Sequence, residues 1–272
     1  MISRPLQLGD RDKLFAMQCT PEDRDADTCV IMLNAGLLDQ TGPYGLHVRF
    51  SEALAELGVA SLRVDLNGKG ESAERDAQDH NAGLEADRVE IERFLDANGY
   101  RRAVLMGLCS GAMDAVEMAS RTDRFDGLIL IDGFARNTPD STRRFYFRRL
   151  LRPSAYRNWL RGKFGSLDMV SNNRVNNPWP DPGVQTAQYR RLLAKGVRIL
   201  AVYTRQLEWY YNHPGQLAAV LQPCENLSLL DEVLLADADH VFTTISHRQQ
   251  AIDAMIAWLS RFSPGCATGS RP

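Results

Sequence analysis

The stretch from Arg102 to Arg121 constrains this chain more than any other. It reads as a short apolar strand (Ala103–Met106), a glycine-bracketed turn, and a helix starting at Ser110 or Gly111. The turn, Gly107-Leu108-Cys109-Ser110-Gly111, fits the frame Gly-x-nucleophile-x-Gly. In that frame a strand meets a helix so sharply that the central residue is held in a strained backbone conformation. The frame centres on Cys109. Centring it on Ser110 would put Leu108 where a small residue is needed. A chain built around such a turn must supply a parallel sheet beneath it and helices on either side.

The rest of the chain supplies them in rhythm. Pro5–Leu8 and Leu14–Thr20 predict two short strands, with Gly9-Asp10 between them, forming an antiparallel edge. Thr28–Leu33 is a continuous apolar run of the kind a fully buried parallel strand shows. Tyr44–Leu57 repeats apolar residues at helical spacing and closes at Gly58. Val59–Val64 predicts the next strand, Ala82–Asn98 a helix, and Gly127–Ile131 a strand ending at Asp132-Gly133. The pattern lapses between Phe134 and Lys195, then resumes with a strand at Val197–Tyr203 and a helical stretch to Leu221. A last strand (Leu227–Leu235) and an amphipathic helix (Ile245–Phe262) follow, and Ser263–Pro272 reads as a disordered tail. Alternating strands and helices imply an α/β fold: a mostly parallel central sheet with helices on both faces. The core is expected over residues 1–133 and 196–272, with 134–195 inserted as a helical cap.

Composition narrows the classes. At 272 residues and a formal net charge of −2, the chain has no global bias toward nucleic acid or anionic membrane. No apolar run is long enough to span a bilayer, and no apolar signal core opens the chain. Five cysteines, with no CxxC pair, predict free thiols in a reducing cytoplasm. Five histidines are too scattered for metal-ligand spacing, and neither metal nor cofactor is expected. Gly68-Lys69-Gly70-Glu71-Ser72 lacks the GxxxxGK[ST] spacing of a phosphate loop and reads as a turn leaving a strand.

Chemistry enters through chain order. After the turn bearing Cys109 come two carboxylates and a histidine, each just past a strand. His240, in Asp239-His240-Val241, lies between the last strand and the last helix and is the expected base. Glu208, the only carboxylate in the loop after Val197–Tyr203, is placed first as its acid. Asp132, at the end of the strand after the turn, is placed second, and a site with no acid stays open. A thiol ionises readily, so a Cys–His pair depends less on a third member. The amides of Ser110 and Leu37 are expected to form an oxyanion hole, with Gly36 letting the loop backbone face the site.

These motifs resemble, in order and over nearly the whole chain, those of an α/β-hydrolase. They are Asn34-Ala35-Gly36-Leu37, Asp65-x-x-Gly68-x-Gly70-x-Ser72, the turn at Cys109, and Asp239-His240. With Thr41-Gly42-Pro43 and Ala112 added, the chain is similar to hydrolase-like proteins associated with exosortase systems and polysaccharide or natural-product gene clusters. Cysteine at the turn is also similar to dienelactone hydrolases and to cysteine-dependent aminoacyl shuttles. The resemblance implies acyl transfer from a thioester or activated ester through an acyl-cysteine, in a biosynthetic pathway. The chain departs from the common pattern in having cysteine for serine and no Gly-x-x-Asp in the acid loop.

Between Arg143 and Lys163 the positive residues are Arg143, Arg144, Arg148, Arg149, Arg152, Arg157, Arg161 and Lys163, with no acid among them. Phe145, Tyr146, Phe147, Tyr156 and Trp159 interleave, followed by Phe164. The aromatics are expected to line an acyl pocket, and the basic face to dock an acyl or peptidyl carrier protein or CoA phosphates. Nucleic-acid binding, which such interleaving also serves, is not expected given the balanced charge. A plain solvated cap, an ordinary esterase, and a non-catalytic ligand-binding homologue are the other readings.

Overall fold

A computed structural model describes residues 1–9, 14–22, 26–74, 79–150 and 181–262. Among these residues, eight strands form one sheet in the order β1-β2-β4-β3-β5-β6-β7-β8. They are β1 (Ile2–Leu8), β2 (Leu14–Thr20), β3 (Thr28–Leu33), β4 (Ala60–Val64), β5 (Arg102–Leu108), β6 (Gly127–Ile131), β7 (Arg198–Thr204) and β8 (Leu230–Leu235). β1, β2 and β4 pair antiparallel, and every pairing from β4 to β8 is parallel.

The apolar runs have a simple cause. In β3, Cys29, Ile31 and Leu33 face one helical layer while Val30 and Met32 face the other. A strand covered on both faces cannot alternate polar and apolar residues. One layer contains α1 (Leu46–Leu57) and the closing helix, α7 (Ile245–Phe262), through Leu46, Phe50, Leu54, Ile252, Met255 and Trp258. The opposite layer contains α2 (His80–Ala97), α3 (Ser110–Ser120), α5 (Pro182–Ala194) and α6 (Gln216–Leu221). A twelve-residue helix, α4 (Pro139–Leu150), follows the β6 loop.

The C-terminal part of the stretch 134–195, expected as a cap, packs with the core. Asp181 caps α5, its carboxylate accepting from Gly183 N (2.7 Å) and Val184 N (3.3 Å), with Pro182 at the first helical position. Tyr189, Leu192 and Leu193 of that helix are buried in the core, so α5 belongs to the sheet layers. Sequence patterning missed it because apolar and basic residues are interleaved along it. Of the expected basic cap, Arg152, Arg157, Arg161 and Lys163, with Tyr156, Trp159 and Phe164, lie outside the described residues, as do the side chain of Arg149 and the tail 263–272. On α4, Asp140 takes Arg143 (2.8 Å) and Arg144 (2.6 Å) into ion pairs, leaving Arg148 exposed.

β3 connects to β4 on one side, whereas β5 lies on its other side. The strand order thus reverses between β3 and β5, the switch point at whose carboxyl ends open α/β sheets place their ligand sites. Among the described residues no helix is long and apolar enough to cross a membrane.

Candidate active site

The turn after β5 is as sharp as its glycines predict. Cys109 has φ 55° and ψ −116°, a conformation L-residues rarely adopt. Its amide donates to Ile131 O of β6 (2.9 Å) and its carbonyl accepts from Ala112 N (3.1 Å). A Cβ on Gly107 would lie 2.0 Å from Gly111 O, and one on Gly111 would lie 2.8 Å from Asn34 O. Both glycines are therefore required by backbone contacts, and the strained residue is Cys109, with Ser110 already helical. The Cys109 side chain is half-buried at the head of α3.

Asp132 leaves the end of β6 with φ 47°, its amide donating to Val202 O of β7 (2.8 Å). That positive φ turns a fully buried carboxylate across the strand ends. Thr204, the last residue of β7, donates to it twice: N to Oδ1 (2.7 Å) and Oγ1 to Oδ2 (2.6 Å). His240 Nδ1 donates to Asp132 Oδ2 at 2.7 Å. The imidazole is raised to about 10, first by the Asp132 hydrogen bond and next by its hydrogen bond with Cys109, against a lowering by burial. With Nδ1 on Asp132, the other ring nitrogen serves Cys109. Asp132 and His240 form a hydrogen-bonded pair, in which the carboxylate fixes the tautomer and ring orientation on the side of the ring away from Cys109.

The loop carrying His240 is held from both sides. Asp239 accepts from Val241 N (3.2 Å), Thr243 N (3.2 Å) and Thr243 Oγ1 (2.6 Å). Arg248 of α7 donates to Phe242 O (2.8 Å) and Thr243 O (3.0 Å). Asp239 thus serves the loop and not the imidazole.

The carboxylate on His240 is Asp132, which replaces Glu208, the acid placed first on sequence. Glu208 follows the 3-10 turn Arg205–Leu207, its amide donating to Arg205 O (3.0 Å). Thr204, which sequence reasoning passed over, is the reason Asp132 is held. In register it lies two residues past Val202, the partner of Ile131. A hydroxyl at the end of an apolar strand, one strand over from a terminal aspartate, was the available signal.

The loop after β3 carries Leu37, the other expected oxyanion donor. Asn34 is fully buried and ties the loop down, donating to Leu38 O (3.1 Å) and accepting from Leu66 N (3.3 Å). A turn closed by Leu38 N to Ala35 O (2.9 Å), with Gly36 at φ 55°, puts Leu37 at the outer corner, 93% exposed. The loop amide that reaches the turn at Cys109 is that of Gly36, which donates to Ser110 Oγ (2.8 Å).

The neighbouring motifs are structural. Asp65 accepts from Glu71 N (3.1 Å) and Ser72 donates to Asp65 O (2.5 Å). A Cβ on Gly70 would lie 2.2 Å from Asp65 Oδ2. The glycines there close a turn around a carboxylate, a poor cradle for phosphate. His80 opens α2 and meets Asp114 Oδ1 of α3 (2.8 Å), which raises its pKa. His47 is buried in α1. No group of three or more His, Cys, Asp or Glu among the described residues is arranged to hold a metal ion.

Residues 38–262 match the alpha/beta hydrolase family. The chain belongs to that family. Among solved structures, the esterase domain of a Rhodothermus marinus protein shares 17% identity, covering 96% of this chain and 99% of that one, at TM-score 0.58. An esterase from Pyrococcus furiosus shares 13% identity over 96% of this chain and 91% of its own, at TM-score 0.62. The thioesterase domain from the curacin biosynthetic pathway shares 16% over 95% and 99%, at TM-score 0.57. At these identities the likeness is one of fold. None of the curated proteins matches the sequence.

Proposed function

We propose that this chain is an acyl-transfer enzyme that works through an acyl-cysteine. The observation carrying the reading is the strained, half-buried Cys109, together with a histidine whose Nδ1 is held by a buried aspartate and whose imidazole is raised by Asp132 and Cys109. The Cys109 sulfur attacks the substrate carbonyl as a thiolate beside the His240 imidazolium. The carbonyl oxygen becomes the oxyanion, facing Ser110 N at the first turn of α3, where helix amides lack intrahelical partners. Collapse breaks the bond to the leaving group, which takes the His240 proton, and leaves a thioester on Cys109. Water or a second nucleophile, deprotonated by His240, then attacks that thioester and returns the thiolate.

The residue type favours thioester donors. Exchange between a pantetheine thioester and an acyl-cysteine trades like for like, so the acyl group stays activated. From an oxygen ester or an amide the same step runs uphill. Carrier-protein or CoA donors suit the excess of arginine after Asp140, and the resemblance to biosynthetic-cluster hydrolases suits the same pathway class. A non-catalytic binding role predicts a misaligned cysteine; the strained turn that displays Cys109 and the carboxylate-held imidazole favour catalysis. An ordinary esterase with cysteine for serine is the second reading, compatible with the same three side chains.

The test is intact-mass measurement after adding acyl-CoA and acyl-carrier-protein donors, with turnover compared for matched thioesters and oxygen esters. A mass shift at Cys109, lost in Cys109→Ala, is expected. Normal turnover by Cys109→Ala would sink the proposal, and faster oxygen-ester turnover would favour the esterase.

A further inference from the structure

The first residue of α3 carries a side chain that the chemistry above leaves unused. Ser110 Oγ accepts the Gly36 amide proton at 2.8 Å. It thereby occupies the acceptor position of the very loop amide that faces the turn. A hydroxyl has one proton and two lone pairs. One lone pair is engaged by Gly36, and no described residue accepts the Ser110 proton. The oxygen is also fixed in place. Gly111 packs so closely under Asn34 that an added Cβ would lie 2.8 Å from Asn34 O, which locks the α3 end against the loop. Asn34 in turn is anchored to Leu38 and Leu66.

We propose that the Ser110 hydroxyl is an oxyanion donor that relays the Gly36 amide, rather than a bystander beside the nucleophile. This rests on the reading of Cys109 as the nucleophile. When Cys109 adds to the carbonyl, the developing oxyanion accepts from Ser110 N and from Ser110 Oγ–H. The Gly36 N–H stays on Ser110 Oγ throughout. A hydrogen bond accepted by a hydroxyl polarises its own O–H, so the Gly36 contact strengthens the donor it holds. No proton changes owner in this step, and the hydroxyl only strengthens its hydrogen bond as charge grows. The arrangement gives a cysteine enzyme a side-chain donor from the same residue that supplies a backbone donor. The alternative is competition: the hydroxyl blocks the Gly36 amide, and removing it would free a better donor. The two differ in sign.

Ser110→Val and Ser110→Thr are matched in shape and differ in the hydroxyl, so the pair isolates it. Cys109 alkylation by iodoacetamide needs the thiolate but no oxyanion, and serves as a check on the turn itself. The expected result is that Ser110→Val alkylates at the wild-type rate but acylates from an acyl-CoA ~10- to 100-fold more slowly. That loss would be in kcat with KM little changed, below the ~100- to 1000-fold typical of removing an oxyanion donor in a serine enzyme. Ser110→Thr should retain most of the rate. Acylation by Ser110→Val at or above the wild-type rate overturns the relay while leaving Cys109 as nucleophile. Slowed alkylation in Ser110→Val overturns it too, since the hydroxyl would then be supporting the turn. If wild-type protein is alkylated at Cys109 yet never acylated by any donor, the acyl-transfer reading itself falls, and this inference with it.

Discussion

Asp132 Oδ2 lies 2.7 Å from His240 Nδ1, although 108 residues separate the two in sequence. Thr204 gives Asp132 two further donors, so the carboxylate is buried with its charge answered on both oxygens. Asp132→Asn replaces one acceptor oxygen with a donor that must face Thr204 or His240, and either choice loses a bond. Thioester turnover is expected to fall by about 100-fold or more, less than the ~10,000-fold seen for serine enzymes because a thiol needs less help to ionise. Glu208→Gln is expected to cost much less turnover than Asp132→Asn, because the carboxylate on His240 Nδ1 is Asp132. Equal losses in the two variants would return the acid to doubt.

The same contact sets how His240 titrates. Asp132 and then Cys109 raise its imidazole from 6.5 to about 10. Its contribution to stability is present in full below about 6.5 and is lost as pH rises toward about 10. Ring resonances followed by NMR should therefore remain in the protonated position at about pH 8, where an unperturbed histidine is neutral. In Asp132→Asn the midpoint should drop by at least ~1 unit. A wild-type midpoint near 6.5 would remove the imidazolium from the scheme.

How far these features were legible in the sequence depends on whether they are local. The turn at Cys109, the buried strands and His240 rest on short runs whose residue types have few other uses. Cys109 indeed carries the positive φ, and the frame was readable because Leu108 could not replace a glycine. What was misplaced depends on register between strands. Asp132 and Glu208 each sit past a strand end, and only the φ of 47° at Asp132, with Thr204 opposite, decides which reaches His240. Likewise, that the Gly36 amide reaches Ser110 Oγ turns on the sense of one tight turn, which Ala35-Gly36-Leu37 does not encode by residue type. From sequence, Ser110 is expected to contribute its backbone N–H rather than its hydroxyl, because the hydroxyl's partner, Gly36, is 74 residues away.

The two turn glycines should be far less replaceable than glycines with open surroundings. A Cβ at Gly107 meets Gly111 O at 2.0 Å and Ala112 N at 2.5 Å. Both are backbone atoms of α3 and cannot swing aside. Gly196, at φ +87° with nothing within 4 Å, would suffer only backbone strain, on the order of 1 kcal/mol in Gly196→Ala. Urea unfolding should show Gly107→Ala losing roughly 4 kcal/mol or more, if it folds at all. A Gly107→Ala protein as stable as Gly196→Ala would mean that α3 starts elsewhere.

Acid should unfold this protein partly through His47. The ring is fully buried in α1, and that burial, outweighing a backbone hydrogen bond with Gln40, holds its pKa at about 4 against 6.5 unperturbed. Its packing leaves no room to rearrange, since a Cβ on Gly42 would lie 2.6 Å from His47 Cδ2. Between those two values the unfolded chain binds a proton that the folded chain refuses, so stability falls as pH drops from about 6.5 to about 4. At 1.36 kcal/mol per unit the full loss is about 3 kcal/mol. His47→Leu should flatten the urea midpoint over that window. His240 acts only above about 6.5, so the two histidines press on stability from opposite sides, and of the pair only the alkaline limb should survive in His47→Leu. A variant that keeps the wild-type acid limb would assign that limb to the carboxylates instead.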